Sequence, residues 1–162
     1  MTSKALATLD EPCGPGAATV TCGRPATVTT AQHNVAVGIG ALAANQTASH
    51  TVAIGDSTFG NLNGNALSDS VAVGARAGQY TTTGGDLTFI GYRAGEANTT
   101  GNTNTIVGSE AYINAQTASS NTGIGYGVLQ SNTTGTNNVA AGVSALIANT
   151  TGINNIAIGV NA

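Results

Sequence analysis

Charge is what this chain has least of. Lys and Arg number 4 and Asp and Glu 7 in 162 residues, a charged fraction of 7%, where ordinary domains carry roughly 25%. The net charge of −3 offers no basic patch or stripe, so nucleic acid is not an expected partner. Aromatic residues are 4% and Trp is absent, so no core can be built around a few large rings. No apolar run reaches the ~18 residues of a membrane-spanning helix, and membrane insertion is not expected. The opening MTSKALATLDEPCGPG meets Asp10 and Glu11 before any long apolar stretch. That is not the pattern of a secretory signal, and synthesis in a cytoplasm is expected. Scarcity of charge does not mean disorder here, because 41% of the residues are hydrophobic and disordered chains are poor in such residues. Those residues are mostly Ala, Val and Ile. Such small side chains bury little area each, so stability is expected from regular stacking and from association with other copies.

Only two cysteines occur, Cys13 and Cys22, in CGPGAATVTCG. The spacing fits neither a redox pair nor a zinc site. Two ordinary thiols is one reading; a disulfide closing a small N-terminal loop is the other. No cofactor is implied.

What the chain does have is a repeat. Glycines at 38, 55, 74, 91, 108, 125, 142 and 159 end a recurring apolar phrase, as in NVAVG and NIAIG. The steps between them are 17 residues, except for one of 19 near Asn61 to Asp69. Three before each register glycine stands Val, Ile or Thr, and one before it Val or Ile in all but Ala141. The residue between is usually Ala, with Phe89, Ile106 and Gly123 as departures. Ala recurs three after the glycine, a large residue such as Leu42, Phe59, Tyr112 or Leu129 four after, and Asn four before.

Alternating β-branched residues predict a short strand. The β-branched pair is expected to fill a coil interior, with the intervening Ala facing outward where another chain can approach closely. Strands apolar on both faces are buried on both. The segments between, such as NTTGTNN (132–138), are turn chemistry. Seventeen residues is too short for a helix pair, and Gly, Asn and Thr are poor helix formers. The expected fold is all-β: a parallel β-solenoid of about eight 17-residue coils, each covering its neighbour's faces.

All three prolines, both cysteines and the one Met lie in the first 25 residues. Residues 1–32 are therefore expected to form an extended N-terminal arm, too short to fold alone. The repeat domain is residues 33–162.

The units NVAVGIGALAANQTASH, NTGIGYGVLQSNTTGTN and NNVAAGVSALIANTTGI resemble the NxVAIGxxA-type repeats of trimeric adhesin heads. They are more similar still to the NTTG-containing repeats of bacteriophage fibre proteins. The resemblance covers residues 33–162. It implies a homotrimer on a virion or cell surface that contacts a host or a glycan. Adhesin heads sit in long secreted chains with stalk and anchor, and many phage fibres carry a further C-terminal domain; neither is seen up to Ala162. These departures favour a small, non-enzymatic virion protein at the capsid surface: a decoration (cement or head-fibre) protein. Its arm would hold the major capsid protein or another virion component. A tail fibre recognising host glycan is the alternative, and a bacterial adhesin head the next.

The sparse charged and aromatic residues supply the candidate sites. Arg76, Arg93 and Glu110 share the column two after the register glycine, and Tyr92 and Tyr126 the column one after. Tyr and Arg are enriched where surfaces recognise ligands, so Arg76, Tyr92, Arg93, Glu110 and Tyr126 form the candidate ligand-binding patch. A solvated face or contacts between chains is the competing reading. Arg93 and Glu110 are expected to pair as neighbours. Asp69 and Asp86, 17 apart, are expected to stack on adjacent coils. That suits a glycosidase carboxylate pair, but their column otherwise holds His33, His50, Thr103, Ser120, Asn137 and Asn154, which is turn chemistry. No catalytic residue and no metal site is assigned. Asn45, Asn98, Asn132 and Asn149 begin N-x-T triplets, and the repeat itself accounts for them.

Overall fold

A computed structural model describes residues 33–45, 47–62 and 67–162. The expected arm, and with it Cys13 and Cys22, lies outside the described residues. So do residues 63–66 inside the 19-residue step.

The described chain winds as a parallel β-solenoid of seven full turns and the strand of an eighth. Its strands are β1 (Val35–Val37), β2 (Val52–Ile54), β3 (Val71–Val73), β4 (Thr88–Ile90), β5 (Thr105–Val107), β6 (Thr122–Ile124), β7 (Val139–Ala141) and β8 (Ile156–Ile158). They form one eight-stranded sheet in sequence order. Each pair is parallel and in register at the repeat, Val35 opposite Val52 and Thr105 opposite Thr122. Seven steps at the strand spacing make a stack roughly 34 Å tall. The hydrogen-bond ladder runs on beyond the strands: Arg76 N–H donates to Asp56 O at 2.8 Å, and Thr99 N–H to Gln116 O at 2.8 Å. Every coil is thus a template for the next.

Three bends close each coil, and each needs left-handed backbone. One lies five before the register glycine, where Asp69 and Asp86 have φ 55°. The others lie two and four after it, as at Arg93 (φ 59°) and Leu129 (φ 52°). The register glycine itself is forced twice. At Gly74, φ is 128°, a region that side chains reject, and a Cβ would run into the carbonyl of Gly91 on the next coil.

The interior reverses one expectation. The middle residue of each strand points in: Ala53, Ala72, Phe89, Ile106 and Ala140 are buried. The β-branched residues flanking it lie on the outside, half-buried or exposed. The outward-facing Ala column is therefore an inward one. Ala holds this inward position in every coil but those of Phe89, Ile106 and Gly123. Bulk is supplied by the residue four after the glycine, which the left-handed bend turns inward, so that Leu42, Phe59, Tyr112 and Leu129 fill the centre with Ala41, Ala77, Ala94 and Ala111.

Around Phe89 the two sources of bulk trade off. Phe89 is the one large ring at the middle position, packed 6.2 Å from Phe59 between ring centroids. Four after the glycine, its own coil has Gly95 and the preceding coil Gly78. A Cβ on Gly95 would lie 2.6 Å from Phe89 Cζ, and one on Gly78 2.6 Å from Phe59 Cδ1.

The asparagines four before the glycine are the polar part of this interior. Asn104 Oδ1 accepts the Asn121 backbone N–H at 2.9 Å, and Asn121 Oδ1 that of Asn138 at 2.9 Å. Across the coil, Asn104 Nδ2 donates to Ala118 O at 2.8 Å and Asn138 Nδ2 to Gly152 O at 2.8 Å. Such satisfied ladders offset the cost of burying amides. Tyr112 joins one of them, its hydroxyl donating to Ala118 O at 3.0 Å and accepting from Asn121 Nδ2 at 2.7 Å.

Candidate functional site

The interior is spoken for by packing, so recognition must lie outside, where the apolar surface is not evenly spread. Twelve of the fifteen large hydrophobic residues exposed on the described chain fall in three successive exterior columns: three before, one before and one after the register glycine. They include Val35, Ile54, Ile90, Ile124, Val143 and Ile158. The sheet thus presents one methyl-rich face along its height, with Asp56 as the one charge in its columns among the described residues.

The charged residues flank this face. Beyond the column one after the glycine stand Arg76, Arg93 and Glu110, and on the opposite side of the strands stand Asp69 and Asp86. Arg93 does not take Glu110 as its partner. Its Nε donates to Glu96 Oε2 at 2.5 Å, within the same coil, and Arg76 Nη1 lies 4.0 Å from Glu96 Oε1. Glu96, absent from the sequence-based patch, is 6% exposed and serves both arginines. A buried carboxylate needs such partners, and its hydrogen bond raises the Arg93 guanidinium above its ordinary value. Glu110 instead accepts the Tyr126 hydroxyl at 2.9 Å. The carboxylate disfavours ionisation of that phenol and raises it.

The five patch residues fall into two neighbouring columns, and their exposures differ. Arg76, Tyr92 and Tyr126 are exposed, while Arg93 and Glu110 are half-buried. Tyr92 and Tyr126 stand two coils apart, with the smaller Ser109 between them. The patch is a rim: its tyrosines continue the apolar face and its charges mark the margin.

The other side chains singled out behave as turn residues. Asp69, Asp86 and every other member of their column share left-handed φ between 55° and 58°. Asp69 Oδ1 sits 3.6 Å from His50 Nδ1, and His50 stacks on His33 with centroids 4.9 Å apart. Among the described residues no group of three or more His, Cys, Asp or Glu side chains is placed to hold a metal. No described helix is long and apolar enough to cross a membrane. Asn45, Asn98 and Asn132 are buried, with Asn132 Oδ1 capping its own turn through Gly135 N–H at 3.1 Å.

The architecture and the repeat place the chain among parallel β-solenoid repeat proteins. Comparison with known protein families, with curated proteins and with solved structures finds no match.

Proposed function

We propose that this chain is a non-enzymatic structural protein of a virion, a homotrimer that decorates a capsid. In this reading residues 1–32 hold the major capsid protein or another virion component. Residues 33–162 project as a stiff knob that reinforces the shell or meets the host surface. The observation that carries the assembly is the apolar outer face, whose columns hold a single charged residue, Asp56, among the described residues. Apolar columns of this extent favour cover, and a second copy suits them best because its coils have the same pitch and meet this face rung for rung. Residues 1–32, unlike the repeat in composition, support a division of labour between attachment and projection. The virion setting rests on the likeness of the repeats to phage fibre repeats.

Two experiments test it. Antibody to the chain should label heads of intact particles rather than tail tips; labelling of no particle ends the virion reading. Light scattering should give a trimer, and Ile90→Lys with Ile124→Lys should give folded monomers. Both residues are exposed, so such surface changes should cost the coil itself no more than about 0.5 kcal/mol each.

A tail fibre that recognises host glycan is the second reading, favoured by the exposure of Tyr80, Tyr92 and Tyr126. It requires the isolated protein to label host cells and to lose that labelling on Tyr92→Ala with Tyr126→Ala.

A further inference from the structure

A face built from like rungs has a defect as a docking surface. Slide one copy along its neighbour by one rung and the two strand columns still meet in Val, Ile and Thr almost throughout, with Val and Ile exchanging places in the column before the glycine. Of eight rungs, seven still touch. The slip matters because only a contact without axial offset closes a ring; an offset contact climbs at every step and yields an open filament. Some feature that does not repeat must set the offset at zero.

We infer that the two charged margins of the sheet perform this task, by pairing Arg76 with Asp69 of the next copy and Arg93 with Asp86 of the next copy. The inference rests on the self-association proposed above.

The argument is one of position. Asp69 precedes β3 and Arg76 follows it; Asp86 precedes β4 and Arg93 follows it. Both members of each pair thus sit on one coil, at the same height, on opposite margins of the apolar face. All four sit in left-handed bends, with φ 55° at the aspartates and 60° and 59° at Arg76 and Arg93; Asp69, Asp86 and Arg76 are exposed and Arg93 is half-buried. When copies stand side by side around an axis with their sheets inward, the arginine margin of one meets the aspartate margin of the next. At zero offset both pairs form.

An offset of one rung in one sense brings Arg76 to Asp86 and leaves Arg93 facing Thr103, so one pair is lost. In the other sense Arg93 meets Asp69, Arg76 faces His50 and Glu110 is driven against Asp86, two like charges. Only zero offset satisfies both arginines without repulsion. Polar groups that select a register at little gain in stability are known from coiled coils.

Within one copy these charges are not fully balanced. Arg76 and Arg93 share the buried carboxylate Glu96, and Glu110, the other carboxylate acting on Arg93, is hydrogen-bonded to Tyr126 rather than to an arginine. Asp86 forms no ion pair among the described residues. The hydrogen bond to Glu96 also holds the Arg93 side chain in place, so less freedom is lost on docking.

Paired cysteines test the register directly, in a Cys13→Ser, Cys22→Ser background of the full chain that keeps Arg93 on Glu96. Arg76→Cys with Asp69→Cys places thiols that meet between copies at zero offset. Arg76→Cys with His50→Cys places them one rung apart. Under mild oxidation the first should join copies into closed covalent rings and the second should link at least tenfold more slowly. Equal linkage, or linkage of the second alone, overturns the inference. So does failure of both to link while light scattering still shows an oligomer, because the margins then do not meet. Asp69→Lys with Asp86→Lys leaves Glu96 and both arginines untouched. It should keep the far-ultraviolet spectrum and lose the single oligomer size; an unchanged single size counts against the pairing. A wild-type chain that is monomeric at every concentration removes the self-association itself, a separate result from oligomers with the wrong register.

Discussion

At the residue scale, backbone conformation rather than side-chain chemistry decides what each position tolerates. Gly74 and Gly40 make the contrast. Gly74 combines φ 128° with a Cβ path blocked by the Gly91 backbone. Gly40 has φ 71°, and a Cβ there would meet Ser57 atoms only at 3.5 Å or more. Gly40→Ala should cost about 1–2 kcal/mol, the penalty for left-handed backbone. Gly74→Ala should cost more than that, with part of the chain losing its ladder; urea melts of the two variants measure the difference. Tyr112 supplies a pH test. Burial pushes its phenol well above the ordinary value, more than its bond from Asn121 lowers it. A raised value in the folded state means that the stabilisation is complete below the unfolded value of about 10 and is lost as pH rises through the folded one. Stability should therefore fall on the alkaline side, and Tyr112→Phe should flatten that fall while costing about 1 kcal/mol at neutral pH for its hydrogen bonds. The absorbance change at alkaline pH attributable to Tyr112 should appear together with unfolding; its appearance in a chain with intact ladder would contradict the burial.

At the scale of the element, the unit is a coil packed on two others, and the Phe89 neighbourhood shows how units exchange volume. Phe89→Ala should cost about 3–5 kcal/mol, as for rings removed from cores. Gly95→Leu alone should be severely destabilising, because the ring of Phe89 occupies its space. Together they recreate the Ala140 and Leu146 arrangement of the β7 coil, and the double variant should recover at least ~1–3 kcal/mol of the summed losses. A strictly additive double-mutant cycle would contradict the shared space. The same residues show how much was legible in the sequence. The period, the strand positions and the turn columns are all readable from the glycine, Val/Ile and Asn columns, because each is a local backbone requirement. Which face turns inward is not legible in the same way, because β-branched residues alternate alike whichever face they line, and the expected interior is the observed exterior. A correcting signal is present: the two glycines that coincide with Phe89 make sense only if both columns share one interior. Glu96 was missed for another reason. It has no like-charged column mates, and its burial comes from the fold of its own bend.

For the whole molecule, the outer face and its margins lie in the columns, not in any one coil. The Arg, Tyr and Glu patch is legible from residue type and repeat column, but that the charges flank an apolar face, with aspartates opposite, requires the bends to be placed. The assembly reading makes stability depend on concentration, since association that favours the folded state raises the melting temperature by mass action. Melting temperature should rise with protein concentration over a hundredfold range, and Ile90→Lys with Ile124→Lys should abolish that dependence. A concentration-independent melt of the wild-type chain would count against the proposed cover of the face.

The 17-residue repeat, constant but for one 19-residue step, also makes length a counted quantity. Excising residues 126–142 would join Gly125 to Val143 and return every later residue to its own column. The rod would shorten by one strand spacing, about 4.8 Å, with corners, stripes and interior still aligned. Insertion of a coil would lengthen it by the same increment. Reach is therefore adjustable in whole steps, with no intermediate setting, and a family of rods of graded height is accessible by duplication or loss of a single 17-residue word.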